Sequence, residues 1–263
     1  MMVLKIGGSM ADRAEELADD ISGLANEKIV IVHGGGPQVT KLEKALGREP
    51  KYIISKEGFK SRHTDAETME NFVMAVGGGV NASLVRMLRK HNVNAVGVCG
   101  ASGIVLAKRK MLVGVENGKE RIIRDDYSGK IRKIEPGALS ALLGAGFVPV
   151  VAPIALGEEF EALNVDGDRA AAAIAGALGA ERLILFTDVE GFFMNFPNDL
   201  VRNAKQGQIA EFQKSANAGM KRKLVAADEA LANGVKEVIM CSGLKEKPVS
   251  SALSGGGTHF TKQ

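Results

Sequence analysis

The chain reads as an α/β protein: an open, mostly parallel β-sheet sandwiched by helices, with an antiparallel β-hairpin patch inserted in it. Three observations lead there. Apolar runs of strand length alternate with stretches of helical period from the first residues onward, glycine clusters follow directly on the ends of those runs, and the alternation is interrupted once, between residues 104 and 134. Strands separated by helix-length segments pair in parallel, because a parallel crossover needs about a dozen residues or more and its helix then covers the sheet face.

The first strand runs over 3–6 and precedes a helical stretch over 11–25; a second strand over 28–33 leads to a helical stretch over 37–46. Segment 65–90 carries Phe72, Met74 and Met87, which read as core or subunit-interface residues, and a strand over 94–98 follows it. Between 104 and 134 the chain breaks into short β-branched or basic pieces around Glu116-Asn117-Gly118 and Tyr127-Ser128-Gly129, where Asn-Gly and Ser-Gly mark turns. The parallel pattern resumes with a strand over 147–152, a helix over 168–178, the strand Arg182–Thr187, a helix over 219–232 and a strand over 236–241.

With 263 residues, 45% of them hydrophobic and 25% charged, the chain can bury a full core as a single domain over 1–263, and disorder is excluded as its main state. The apolar stretches 147–153 and 170–178 fall short of the ~18 residues of a membrane helix. Met1 leads straight into a strand, so no membrane attachment and a cytoplasmic, uncleaved protein are expected. Cys99 and Cys241 stand far apart in apolar runs without a second thiol or His at ligand spacing, and read as buried structural thiols.

The formal net charge is only +3, too little to argue for nucleic acid. Charge is nevertheless uneven. Residues 107–133 hold nine basic and four acidic side chains, and 51–62 hold a smaller basic excess. Such a stretch is most simply a solvated hairpin, and its single aromatic, Tyr127, is too little for base stacking.

The glycines stand where strands end. Lys5-Ile6-Gly7-Gly8-Ser9, His33-Gly34-Gly35-Gly36-Pro37 and Gly100-Ala101-Ser102-Gly103 each follow a strand. Ligands of open α/β sheets bind at those carboxyl ends, where glycine lets backbone N–H groups approach an anion. Neither a G-x-G-x-x-G fingerprint after a strand nor a P-loop occurs. Lys5 precedes one loop; Lys223 follows a helix start in Gly219-Met220-Lys221-Arg222-Lys223; Asn164-Val165-Asp166-Gly167-Asp168 opens an alanine-rich helix, of which one member serves as N-cap; and Thr187-Asp188-Val189-Glu190-Gly191 ends another strand. Two lysines, glycine N–H groups and a carboxylate to hold the lysines are what phosphoryl transfer needs, since positive charge and positioning do most of that work. His33 ends an apolar strand and reads as a structural histidine, because attack by a carboxylate removes no proton near neutral pH.

These motifs, in this order and spacing, resemble the amino acid kinase superfamily, in its acetylglutamate kinase branch, over essentially the whole chain. Within that branch Ser61-Arg62-His63-Thr64-Asp65, Lys221-Arg222-Lys223 and Asp126-Tyr127-Ser128-Gly129 resemble the carrier-protein-dependent kinases. Those enzymes phosphorylate the side-chain carboxylate of aminoadipate or glutamate attached by its amino group to a small acidic carrier protein of the LysW type, in lysine or arginine biosynthesis. The resemblance implies ATP with Mg2+ carried by the nucleotide and no protein-held metal. It implies that Lys5 acts on the γ-phosphoryl, Lys223 holds the nucleotide phosphates and Asp168 positions both lysines. Gly35 and Gly36 would bind the attacking carboxylate, and Arg62 and Asn164 the other end of the acceptor. Gly7, Gly8, Thr187, Asp188, Gly191 and Met220 would line the nucleotide. It further implies a homodimer through segment 65–90, an acceptor-binding lobe over about 1–180 and a nucleotide-binding lobe over about 181–263. An ordinary N-acetylglutamate kinase is the nearest alternative and a non-catalytic nucleotide-binding regulator a remote one. The basic stretches favour an acidic partner.

Overall fold

The apolar runs become the central strands of one sheet. The computed structural model describes residues 1–7, 10, 14–24, 26–54, 60–116 and 119–262. In chain order its strands are β1 (Met2–Ile6), β2 (Ile29–His33), β3 (Tyr52–Ile54), β4 (Lys60–Arg62), β5 (Ala95–Cys99), β6 (Val105–Arg109), β7 (Leu112–Glu116), β8 (Lys119–Ile123), β9 (Gly129–Ile134), β10 (Val148–Ala152), β11 (Ile154–Leu156), β12 (Ala162–Asn164), β13 (Arg182–Thr187), β14 (Asn203–Lys205), β15 (Glu237–Ser242) and β16 (Thr258–Thr261). Among the described residues the largest sheet has eight strands, in the order β14-β16-β15-β13-β1-β2-β10-β5. Every pair from β15 to β5 is parallel; β16 runs antiparallel to β15 and carries β14 in parallel at the edge.

Helices α1 (Ala14–Ser22), α2 (Gly36–Ala45), α3 (Ala66–Phe72), α4 (Asn81–Lys90), α5 (Gly137–Gly144), α6 (Gly167–Ala177), α7 (Ile209–Ser215), α8 (Ala218–Ala232) and α9 (Pro248–Leu253) flank it. The apolar faces of α1, α4 and α9 pack on one side, and those of α5, α6, α7 and α8 on the other. Side chains of a strand alternate between faces, so Met2, Leu4 and Ile6 point under α1 and α4 while Val3 points under α6 and α8. Lys5 shares the parity of Val3 and emerges on the α6–α8 side. The alanines of α6 let α8 lie close, and at Gly176 a Cβ would come within 2.7 Å of the Asn233 Cβ.

Two regions differ from the expectation. The insertion holds the expected hairpin, β7–β8, but β6 also pairs antiparallel with β9 and parallel with β11, and with β12 they form a second, four-stranded sheet. At three residues each, β11 and β12 are too short for alternation to be read from sequence. Segment 65–90 is not one regular helix: α3 and α4 are joined by a π-helical stretch, Val73–Val80, containing Gly77-Gly78-Gly79. This stretch presses Val76 toward Gly35, where a Cβ would lie 2.7 Å from Val76 Cγ2, so the loop after β2 requires glycine.

Candidate active site

β1 and β2 end side by side, and a lysine leaves the first. Lys5 Nζ lies 2.7 Å from Asp168 Oδ1. Lys223, in the second turn of α8, reaches the same carboxylate, with Nζ 3.2 and 3.4 Å from its two oxygens. The three side chains are only 11%, 10% and 14% exposed for Lys5, Asp168 and Lys223. Burial alone would raise the Asp168 pKa; the charges of Lys5 and Lys223 and their hydrogen bonds outweigh it and hold the carboxyl below the usual range. Burial pushes the Lys223 ammonium below the ordinary lysine value, against the attraction of Asp168.

The 164–168 motif divides into three tasks. Asp166 is the N-cap of α6, accepting from the Asp168 and Arg169 amides at 3.0 Å. Asp168, in the first turn at the positive end of that helix, bridges the lysines. Asn164 ends β12 and donates from Nδ2 to Thr64 Oγ1 at 3.1 Å. His33 is fully buried: its Nδ1 donates to the Gly34 carbonyl at 2.9 Å and its Nε2 accepts from Asn81 Nδ2 at 3.0 Å. Burial holds its pKa down to about 4, so the ring is neutral.

Beside the lysines opens a cavity of about 500 Å³ whose wall includes Gly36, Arg62, Lys110, Asn164 and Asp166, together with Lys221 and Arg222 from the turn that carries Lys223. Arg62 is fastened to α2, with Nη1 on the Glu43 carboxylate and Nη2 on Thr40 Oγ1 and the Gly36 carbonyl. Glu43 is 2% exposed and also accepts from Thr68 Oγ1 at 3.0 Å. Asp126, 1% exposed, accepts from Thr64 N at 2.9 Å and Ser128 N at 2.7 Å, tying the insertion to the Arg62 strand. Part of the basic stretch is therefore not a solvated hairpin. Arg109 stacks 3.9 Å from the Tyr127 ring centroid and donates to the Asp126 carbonyl, and Lys110 lines the cavity. Lys108 and Lys133 do face solvent.

Thr187 closes β13, and its carbonyl accepts from Gly243 N at 3.0 Å, joining the exits of β13 and β15. Asp188 follows, and a Cβ at Gly191 would lie 2.5 Å from Thr258 Oγ1, so this turn also requires glycine. Met220 N is capped by Asn217 at 2.9 Å, which starts α8 and sets Lys223 one turn on. Gly7 ends the described part of the first loop; Gly8 lies outside the described residues, as do Lys56 and Glu57 of the smaller basic stretch. The third glycine loop does not join the other two. β5 is separated from β2 by β10, and a Cβ at Gly100 would lie 2.4 Å from the Ile154 carbonyl, so that loop is a packing turn. Cys241 is buried, its thiol pushed up to about 12 by desolvation, while Cys99 is only half-buried.

Glu43, Lys110, Asp126 and Arg169 were not singled out by sequence reasoning as site residues. Asp126, beside a Ser-Gly turn, offered a signal; Glu43, inside a helical stretch among Lys41 and Lys44, offered none. Among the described residues no group of three or more His, Cys, Asp or Glu side chains could hold a metal, and no helix is long and apolar enough to cross a membrane.

A protein of Cenarchaeum symbiosum is 45% identical over 97% of this chain and 96% of its own. The LysW-aminoadipate kinase of Thermus thermophilus is 40% identical over 98% of this chain and 99% of its own, and the LysW-aminoadipate/LysW-glutamate kinase of Saccharolobus solfataricus is 40% identical over 98% of both. Among solved structures, carbamate kinase from Giardia lamblia bound to AMP-PNP superposes with a TM-score of 0.70 at 18% identity, covering 100% of this chain and 98% of its own, which is likeness of fold. N-acetylglutamate synthase from Neisseria gonorrhoeae has a TM-score of 0.81 at 26% identity, covering 100% of this chain and 59% of its own. The model of the amino acid kinase family matches residues 1–242. With that match and relatives at 40% identity along the whole chain, this protein belongs to the amino acid kinase family.

Proposed function

We propose that the chain transfers the γ-phosphoryl of ATP to the side-chain carboxylate of aminoadipate or glutamate attached through its amino group to a small acidic LysW-type carrier protein, in lysine or arginine biosynthesis. The observation that carries the chemistry is the Lys5–Asp168–Lys223 bridge beside a cation-lined cavity; the acceptor class rests on the relatives named above.

In this reading the acceptor carboxylate lies against the backbone of Gly35 and Gly36 and attacks the γ-phosphorus. One carboxylate oxygen forms the new P–O bond, the bond to the β-phosphate oxygen breaks, and ADP leaves with that electron pair, yielding an acyl phosphate without any proton transfer. Lys5 meets charge growing on the phosphoryl oxygens and Lys223 the charge growing on the leaving side. Asp168 holds the two ammonium groups at fixed separation, which removes reorganisation from the step. Arg62 and Asn164 hold the far end of the acceptor. Gly7, Gly8, Thr187, Asp188, Gly191 and Met220 cradle the nucleotide. In the same reading Mg2+ comes with the nucleotide phosphates, on whose oxygens this hard cation is normally held.

The same reading includes an acceptor lobe over about 1–180, a nucleotide lobe over about 181–263 and a cytoplasmic location. It also includes a homodimer, supported by Met74 and Leu46, both more than half exposed beside an apolar groove between α2 and α4. An ATP-consumption assay with carrier-linked aminoadipate, carrier-linked glutamate and free N-acetylglutamate tests the acceptor. Turnover of a carrier-linked acceptor is expected; preference for free N-acetylglutamate would replace this reading with the ordinary acetylglutamate kinase.

A further inference from the structure

We infer that Lys110 binds the second carboxylate of the acceptor, the one on its α-carbon that is not phosphorylated. The inference rests on the proposed function and names a residue that would discriminate its substrate.

The cations around the acceptor cavity are balanced unequally. Arg62 meets the buried Glu43 carboxylate. Arg169 meets Glu229 through two hydrogen bonds, one of them Nε to Oε2 at 2.9 Å. Lys221 and Arg222 have contacts of their own. Lys110 stands apart, for among the described residues no salt bridge or side-chain hydrogen bond holds its ammonium, which Arg169 and Lys130 repel and Asp166 and Asp126 attract without pairing with it.

A partly buried ammonium without a counter-ion is costly, and an anion in the cavity removes that cost. Burial, then Arg169, pushes the Lys110 pKa down, the direction expected of a cation waiting for its partner. The residue is also fixed. Its backbone N–H donates to the Ser128 carbonyl at 2.8 Å, and the neighbouring Tyr127 carbonyl accepts from Asn164 N at 2.8 Å, so Lys110 and Asn164 are positioned by one segment. Once the acceptor's amino group is blocked and its side-chain carboxylate lies at the glycines, the α-carboxylate is its remaining anion. Arg62 can donate N–H groups to it but has its charge already matched by Glu43. Lys110 supplies charge that no ion pair among the described residues matches.

The test compares carrier-linked aminoadipate with the same acceptor carrying an α-carboxamide, in wild type, Lys110→Met, Lys110→Arg and Lys108→Met. Wild type should lose about 10- to 100-fold in kcat/KM on amidation, the usual effect of one charge-assisted hydrogen bond. Lys110→Met should show that loss already on the acid acceptor, through KM and with kcat and the ATP KM unchanged, and amidation should then cost it little more. Lys110→Arg should recover part of the loss, and Lys108→Met, at the exposed surface, should behave as wild type. The Lys110→Met melting temperature should not fall, because an uncompensated charge is removed, so a folding defect is separable. Should Lys110→Met still separate acid from amide as strongly as wild type, the inference fails and the proposed function stands. Should wild type ignore both carrier-linked acceptors, the proposed function fails, and the same comparison with N-acetylglutamate and its α-amide decides Lys110.

Discussion

Lys5 and Lys223 on one side, and Lys108 and Lys133 on the other, are four lysines of the same chain with opposite fates. The first two share one carboxylate and are 11% and 14% exposed; the second two are 53% and 65% exposed and each pairs with a surface glutamate. Two unit charges 4 Å apart interact by ~1 kcal/mol in bulk water and ~4 kcal/mol at the effective dielectric of a protein site. Burial therefore turns a common surface contact into a strong, fixed local field, while the insertion keeps charge that solvent screens. Lys110 belongs to the insertion by sequence and to the wall of the cavity by position.

The largest effects should follow from breaking the buried bridge. Lys5→Ala and Asp168→Asn should each lower kcat about 10³-fold with the fold retained and the ATP KM little changed, since their contacts strengthen only as charge develops. Steady-state kinetics with circular dichroism check this, and wild-type turnover in either variant would erase the distinction between the two lysine pairs. The alkaline limb of kcat/KM should lie below 10.5, the ordinary value of a lysine, because burial depresses Lys223, and Asp168→Asn should move it lower still. A limb unmoved by that change would mean that Lys223 does not titrate there.

Arg62→Ala should raise the acceptor KM and also cost about 3 kcal/mol of stability, because it leaves Glu43 buried without its cation. Adding Glu43→Gln should restore most of the stability and none of the acceptor affinity. Denaturant midpoints and KM measured on the same preparations separate the two.

His33 sharpens the comparison from the other direction, as a buried group kept neutral. Its folded pKa of about 4 lies below its ordinary 6.5, so the stability it contributes is complete above pH 6.5 and is lost as pH falls from 6.5 toward 4, by up to about 3 kcal/mol. Urea unfolding at pH 7 and pH 4.5 in wild type and His33→Gln should show this slope in wild type and a shallower one in the variant.

The smallest effect belongs to the exposed pair. Lys108→Glu with Lys133→Glu should weaken the carrier-linked acceptor by less than ~1 kcal/mol per residue and only at low salt, because screening at ~0.15 M shortens the reach of such charges to ~8 Å. An effect that persists at high salt would mean that these lysines are desolvated in the complex. Arg109→Glu with Lys110→Glu would be a poor test of docking, since Arg109 packs on Tyr127 and Lys110 lines the cavity.

Periodicity and glycine spacing alone determined the six parallel strands, the edge of the sheet where the site lies and the pairing of Lys5 with the loops after β1 and β2. Strand parity and chain order are local properties, and a long apolar strand followed by Gly-Gly has few alternatives. The order of the strands, the second sheet and the π-helical stretch were not legible, because β11, β12, α7 and α9 are too short to carry a period and their stability comes from neighbours distant in sequence. Composition counted nine basic residues in the insertion, but only the tertiary structure decided which of them meet solvent, which meet Tyr127 and which enters the cavity. Whether a charge is screened or buried depends on the groups around it, and Glu43, Asp126 and Asp168 come to Arg62, Thr64 and the two lysines from 19 to 163 residues away along the chain.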